Sequence, residues 1–406
     1  MKKICVEYIM PGMILAQDIK GIDGNVLLPA GTTIRDREKN LLLEAGIDYV
    51  EVKARDEAEK ENYIEMVAQE YAFKFFMYVN PDSELFGELY KLVVELLVNS
   101  LKRGWVLPCE ESLRAKNVER MKDLFLKDMG GPEDVIKHEV SLASFPDVYF
   151  KLKKVLESKT ASAKEIAQVV SADVALSAKL LKLVNSPLFG LTQKIDSIER
   201  AVSIIGEQEL SNLALGITAI RYFKDIPPEL IDMNTFWKHS LSCAVFAKIL
   251  SSLLKIPNEE FMFTCGLLHD VGKLILFKNL PYGSVEALIF ARENMIPVVE
   301  AEENVLGFTH THISNLIMKQ WEFPPSLIDI VSHHHNPQGA EHFKEAAILQ
   351  VADNMANAIS IAGGGMFVVP GMEEDVWKGL GLKVELISQI VAKHNQVLKG
   401  LLSAIL

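Results

Sequence analysis

A chain of 406 residues is too long for one ordinary core, so two or three domains of roughly 100–200 residues are expected. Hydrophobic residues make up 49% and charged residues 24%, a composition that excludes a disordered chain. A net charge of −12, with no cluster of five Lys/Arg, argues against a nucleic-acid groove or an anionic membrane surface, while leaving room for a local pocket for one phosphorylated small molecule.

Residues 1–53 read as a small β-rich module. Short β-prone runs at Ile4–Ile9, Ile14–Ile19 and Asn25–Leu28 are separated by the turn signals Pro11-Gly12, Asp23-Gly24 and Pro29-Ala30-Gly31. One helix is predicted from Asp36, as N-cap, to Gly46, followed by the strand Tyr49–Val52. The N-terminus meets Glu7 before any apolar run can form, so it does not read as a secretory signal. From 54 to 131 the pattern is a helical connector. A solvated, charged lead (Lys53–Asn62) precedes a helix over Tyr63–Tyr78, and a second helix covers Leu85–Leu101. The aromatics Tyr71, Phe73, Phe75, Phe76 and Tyr78 read as core or as a dimer seam, and Gly130-Gly131-Pro132 as a linker.

Residues 132–360 read as an all-α globule of ten or more helices, with examples at Ala163–Val170, Ala175–Val184, Ile195–Ile205, Thr235–Leu254 and Glu260–Phe277. Residues 361–406 form a C-terminal extension whose helix over Val384–Leu402 should pack back on that globule. The longest apolar stretch, Ile361–Pro370, is glycine-rich and well short of the ~18–20 residues of a bilayer span. Cys5, Cys109, Cys243 and Cys265 are widely spaced without a Cys-x-x-Cys, which predicts buried thiols in a reducing compartment rather than disulfides. The protein is therefore expected to be cytoplasmic.

The residues that carry chemistry lie in the C-terminal half: His239, the pair His269-Asp270, His310, His334 and Asp353. Imidazole nitrogens and carboxylates are the donors that hold divalent transition metals (Fe, Mn, Ni or Zn), and donors on several helices can meet inside a bundle. Seven of the ten histidines fall between 239 and 335, whereas a lone helix histidine is more often an ordinary residue; His138, His342 and His394 take that reading. Consecutive helical residues point ~100° apart, so His269 and Asp270 can share one site only where their helix meets the pocket obliquely or ends. Gly272 permits close approach of another helix, and Lys273 shares a face with His269 and Asp270. In His333-His334-His335 only one or two rings can face inward, and His312 would point away from His310 on a helix.

Over about 135–355 the chain resembles the HD superfamily of metal phosphohydrolases, and within it the HDOD (HD-related output domain) branch. The resemblance rests on Ser171-Ala172-Asp173 through Leu181, Val184-Asn185-Ser186-Pro187, Ile195–Gly206, Trp237-Lys238-His239-Ser240, Gly266–Lys273, Glu303–His310, Trp321 with Pro324, and His334-His335-Asn336-Pro337. It implies a mainly α architecture: an HD-type helical bundle preceded by the β-rich module and helical connector. Residues 1–53 are similar to the small module that precedes many HD-GYP cyclic di-GMP phosphodiesterases. By carry-over, His239, His269, Asp270, His310, His334 and Asp353 would be metal ligands, with His335 for a second metal. Lys273 would contact a substrate phosphate or a metal-bound water, and Asp270 and Lys273 would be catalytic if the site turns over. Two departures weaken a cyclic di-GMP hydrolase: Asn336-Pro337-Gln338 stands where a Gly-Tyr-Pro loop would, and Thr235 where an extra glutamate ligand would. HDOD modules often lose HD ligands and act as regulators, yet this chain retains the set. The favoured expectation is a signal-transduction module with a divalent metal and a nucleotide ligand or signalling protein partner, with a homodimer as one arrangement, away from nucleic acid and membrane. The alternatives are a metal-dependent phosphohydrolase and a metal-free helical scaffold.

Overall fold

The computed structural model describes residues 2–122, 147–156, 163–223, 226, 230–359 and 368–405. Two compact units divide the chain: Met1–Tyr78 with Phe86–Leu124, and Val79–Leu85 with Phe125–Leu406. The Gly130-Gly131-Pro132 linker, His138 and most of the 361–370 stretch lie outside the described residues.

In the first unit, β1 (Lys2–Cys5) and β2 (Ile14–Leu15) flank β5 (Tyr49–Lys53), and all pairs are antiparallel. The register sets Ile4 against Val50 and Leu15 against Val52. Alternation buries Val50 and Val52 on one face. A separate hairpin joins β3 (Ile19–Lys20) to β4 (Val26–Leu28), and Gly24, at φ +79°, takes the left-handed turn position between them. The strand expected over Ile4–Ile9 stops at Cys5, because Val6–Tyr8 wind into a 3-10 turn. Helix α1 (Asp36–Glu44) is capped by Arg35 rather than Asp36, the Glu38 carboxylate accepting the Arg35 backbone N–H at 3.1 Å. Helix α2 (Glu57–Phe75) begins inside the predicted charged lead. The Asp56 side chain accepts the Glu59 N–H at 2.8 Å, and the first-turn acids Glu57 and Glu59 complement the helix dipole. Helices α3 (Glu84–Lys102) and α4 (Glu110–Lys122) follow. The aromatic run splits: Tyr71, Phe75 and Phe76 are buried, while Phe73 and Tyr78 are exposed.

One cysteine expectation is overturned here. Cys5 and Cys109 form a disulfide with Cα atoms 5.5 Å apart, joining β1 to the start of α4 across 104 residues. Sequence spacing carried no sign of it, because the fold alone brings these positions together. Cys243 and Cys265 are free, buried thiols.

The second unit is helical throughout its described residues: α5 (Asp147–Leu156), α6 (Ala163–Ser171), α7 (Val174–Val184), α8 (Ile198–Ile205), α9 (Glu207–Tyr222), α10 (Met233–Leu253), α11 (Glu259–Leu268), α12 (Val271–Asn279), α13 (Pro281–Asn294), α14 (Val298–Leu306), α15 (His310–Gln320), α16 (Pro325–Ser332), α17 (Phe343–Ile359), α18 (Glu374–Leu380) and α19 (Ile387–Ile405). The predicted helix over Ile195–Ile205 starts only at Ile198. Asn185 clamps the segment before it, donating to the Ile195 carbonyl and accepting the Ile195 N–H, both at 2.7 Å, while Ser197 caps the helix.

Helix α10 is the axis of this unit, packed against α11, α17 and α19 and buried on nearly every side from Phe236 to Ser251. Its approach to α11 is close enough that a Cβ on Gly266 would meet the Ala244 Cα at 2.5 Å. The single helix predicted over Glu260–Phe277 breaks into α11 and α12 at His269-Asp270, where Asp270 turns to ψ 12°. Among the described residues no single helix is long and apolar enough to cross a membrane.

Candidate metal centre

Five segments of the helical unit supply the site. Helix α10 contributes His239, and the break between α11 and α12 contributes His269 and Asp270. The first residue of α15 contributes His310, the turn after α16 contributes His334 and His335, and α17 contributes Asp353. Because the chain turns between α11 and α12, the adjacent His269 and Asp270 reach one cavity despite the ~100° step of a helix. The other side of that turn depends on Gly272. A Cβ there would run into the His310 carbonyl and approach the Ser314 hydroxyl to 2.6 Å, so only glycine lets α12 and α15 close on one another. The Gly272 N–H donates to Ser314 Oγ at 3.0 Å across the same contact.

All seven predicted metal residues come together. His239 Nε2 lies 3.0 Å from Asp353 Oδ1, and His269 Nε2 lies 3.5 Å from the same oxygen and 3.4 Å from Asp270 Oδ2. On the other side of Asp270, Oδ1 faces His310 Nε2 at 3.3 Å and His334 Nε2 at 3.8 Å. The rings of His334 and His335 are 4.0 Å apart, and His335 joins Asp270, His310 and His334 in one donor group. Asp270 stands at the centre, one carboxylate oxygen toward each half of the cavity. His333 turns away to Asp329 and His312 is exposed on α15, which settles both register questions in the histidine-rich segments.

Second nitrogens fix the tautomers. His269 Nδ1 is 2.7 Å from the Gly266 carbonyl, and His334 Nδ1 is 2.7 Å from that of Val331. A carbonyl oxygen only accepts, so each Nδ1 carries the hydrogen and each Nε2 presents a lone pair to the cavity. His310 is held likewise by Glu302, whose Oε2 accepts from both its Nδ1 (2.6 Å) and its backbone N–H (2.8 Å). The Nε2 atoms of His269, His310, His334 and His335, together with Asp270 Oδ1, are buried without a hydrogen-bond partner among the described residues. Such orphaned atoms are expensive in a folded interior, where buried polar groups are nearly always satisfied.

Charge points the same way. Asp270, Glu302 and Asp353 are buried carboxylates and Lys273 is a buried ammonium, its Nζ 2.8 Å from Asp270 Oδ2. With neutral imidazoles this leaves two negative charges, the complement of one divalent cation. Burial alone would raise the Asp270 carboxyl, but His269 and Lys273 outweigh it and hold it well below the usual carboxylate range; Asp353 is held down against burial by His239 and His269. Burial lowers His334 to about 3, with help from His269 and His310, and pushes His335 well below its ordinary value too. At neutral pH both rings are therefore neutral donors. At His269 burial disfavours the cation, but the Asp270 carboxylate prevails and the pKa rises well above normal, so the Nε2 lone pair and the balance of two negative charges hold once a bound cation displaces that proton. The donor set fits a divalent transition metal.

Lys273 shares the Asp270 face, as its spacing predicted, and its ammonium is already engaged with that carboxylate. Two participants were not anticipated. Glu302, eight residues before His310, orients that ring from α14; nothing in its spacing marked it. Cys243 lies in one donor group with His269 and Asp353, and its position four residues after His239 was the available signal.

Residues 142–337 match the HDOD domain family. Among curated proteins, the chain is similar to an uncharacterized protein of Treponema pallidum (26% identical, covering 50% of this chain and 39% of that protein) and to uncharacterized protein YuxH of Bacillus subtilis (29% identical, covering 49% and 53%). The matched region thus spans about half, or less, of the length of those relatives. Among solved structures, a Shewanella amazonensis protein provisionally named a phosphohydrolase superposes with a TM-score of 0.55 at 21% identity, covering 67% of this chain and 98% of that one. An HDOD domain protein of unknown function from Geobacter sulfurreducens gives 0.50 at 23% identity, covering 65% and 96%. A second S. amazonensis protein, provisionally named a metal-dependent phosphohydrolase, gives 0.50 at 18% identity, covering 72% and 99%. At these identities the likeness is one of fold.

Proposed function

The chain is an HDOD-domain protein, and on that premise we propose that it is a signal-transduction module whose helical unit holds a divalent transition metal and responds to a nucleotide or a signalling protein. The observation that carries this reading is the convergence of buried, unpartnered imidazole nitrogens on Asp270. His239, His269, Asp270 and Asp353 would hold a cation on one side, and His310, His334 and His335, with Asp270, on the other. One cation would then tie α10, the α11–α12 break and α17 together. Metal binding is thereby coupled to the order of the unit, which is what a regulatory module requires.

Phosphoester hydrolysis is the second reading, favoured by the retention of every carried-over ligand. A bound cation would supply Lewis-acid polarisation of a phosphoryl oxygen. Against turnover stands Lys273, which is buried and paired with Asp270 rather than free to meet a substrate phosphate. Elemental analysis of protein purified without chelator tests the metal. A nucleotide hydrolysis screen, repeated on His269→Ala, then separates the readings. Near-stoichiometric Fe, Mn, Ni or Zn without turnover supports the regulator; hydrolysis abolished by His269→Ala replaces it with the enzyme; metal-free protein whose melting is indifferent to chelator ends both.

A cytoplasmic location belongs to the same proposal. Acid quenching of intact cells followed by alkylation of the denatured protein tests it through the buried Cys5–Cys109 pair, which a reducing compartment would leave largely as thiols.

A further inference from the structure

Helix α10 brings a sulfur to the cavity as well as a nitrogen. Cys243 follows His239 by four residues and so lies on the same helix face one turn on. Its thiol is free and fully buried. Cys243 Sγ and donor atoms of His269 and Asp353 all lie within 4.8 Å of one another. In that group the Nε2 of His269 is itself buried and unpartnered among the described residues, with its Nδ1 committed to Gly266. Beside it α10 and α11 pack closely, a Cβ on Gly266 meeting the Ala244 Cα at 2.5 Å and the Cys243 carbonyl carbon at 3.0 Å, so the backbone that carries the sulfur is held against α11. The other free thiol, Cys265, is equally buried but belongs to no such donor group among the described residues.

We propose that Cys243 is a sulfur ligand of this centre, so that the site selects a thiophilic cation such as zinc, cobalt or iron(II) over magnesium or manganese. The inference rests on the metal-binding reading above and deepens it. Softness is the chemical basis: thiolate ligands favour zinc and related ions, whereas carboxylate and carbonyl oxygens suit magnesium and manganese equally well. As the sulfur–metal bond forms, the thiol proton passes to solvent, so no oxidant or reductant is needed.

Cobalt(II) is the probe, added to the full-length, metal-stripped protein. Cobalt bound by a thiolate absorbs in the near ultraviolet through sulfur-to-metal charge transfer, whereas cobalt held only by nitrogen and oxygen does not. The expected result is a band that saturates with one cobalt, disappears in Cys243→Ser and persists in Cys265→Ser. Zinc affinity should fall about 10-fold or more in Cys243→Ser while manganese affinity stays within about 2-fold of wild type. Cobalt that binds the wild-type protein without the band overturns the inference and leaves the metal reading standing. A band that survives Cys243→Ser but is lost in Cys109→Ser also overturns it, by assigning the sulfur to the N-terminal unit. Protein that binds no cobalt overturns both. Should Cys243→Ser fail to fold, zinc-edge X-ray absorption of the Cys109→Ser protein decides: one sulfur at the zinc supports the inference, and a nitrogen/oxygen shell overturns it.

Discussion

Two buried histidine sites lie along α10, and they differ in one respect. On the side facing α19, His394 stacks flat on Phe246 with ring centroids 3.8 Å apart, its Nε2 2.8 Å from Ser242 Oγ and its Nδ1 3.1 Å from Asn395 Oδ1. Both nitrogens are used. In the Asp270 cavity, His269, His310 and His334 each spend Nδ1 on a protein acceptor and leave Nε2 unpartnered. Both sites are equally buried, so burial does not distinguish a structural histidine from a ligand. What distinguishes them is the second nitrogen: a folded interior tolerates a cluster of unsatisfied lone pairs only where something else completes them.

The most severe way to test that contrast is Asp270→Ala. It removes the central carboxylate and strands the Lys273 ammonium, which should cost about 3–5 kcal/mol, together with all measurable metal binding. Ser242→Ala at the His394 site loses one neutral hydrogen bond and should cost about 1–3 kcal/mol, since the ring is left partly unpaired. Adding Lys273→Met to Asp270→Ala should recover most of the stability and none of the metal. Denaturant midpoints and metal analysis check each variant, and equal costs for Asp270→Ala and Ser242→Ala would mean that the cavity is ordinary core.

Part of this contrast was legible in the sequence and part was not. The helical unit and the residues that converge in its cavity could be read because histidines concentrate between 239 and 335 beside strongly helical segments. The break at His269-Asp270 was only half legible: the pattern predicts one helix over Glu260–Phe277, and geometry asks for an oblique approach or a helix end without choosing between them. Tertiary partners could not be read. Glu302 reaches His310 only because the chain turns between α14 and α15, and Cys5 meets Cys109 only because β1 and α4 lie in one unit. For Cys243 the wide spacing from the other cysteines is uninformative, whereas its step of four from His239 places it on the face that meets the cavity.

The next test exploits pH. Burial pushes His394 down to about 4, and its contacts with Asn395 and Ser242 offset this only partly. Its folded pKa lies below the ordinary ~6.5, so the unfolded chain takes up the proton first. Stability is therefore full above about pH 6.5 and declines as the pH falls toward 4, by about 3 kcal/mol in all. His394→Gln should flatten that part of the pH profile of melting. Cation should not affect the His394 contribution, because both its nitrogens are already committed. A cation-dependent His394 slope would break the distinction between the two sites.

Metal itself comes next in size. Zinc or cobalt at 100 times its dissociation constant should stabilise the stripped protein by about 2.7 kcal/mol, read as a rise in melting temperature that chelator reverses. His239→Ala and His310→Ala should each diminish the rise, while Ser242→Ala should leave it intact despite its own lower starting stability.

The smallest effect separates orientation from ligation within the cavity. Glu302 does not face the other donors; it accepts from His310 Nδ1 and so holds the Nε2 lone pair toward Asp270. Glu302→Gln keeps the size and the acceptor oxygen but removes the charge, and partners of this kind typically contribute 10–100-fold to metal affinity. Converted at about 1.4 kcal/mol per decade, that is about 1.4–2.8 kcal/mol. The variant should bind the same number of metal ions more weakly, as calorimetric titration would show. Losing an ion outright would make Glu302 part of the ligand set, whereas an unchanged affinity would mean that His310 is held by packing alone and that its free nitrogen has the same standing as those of His394.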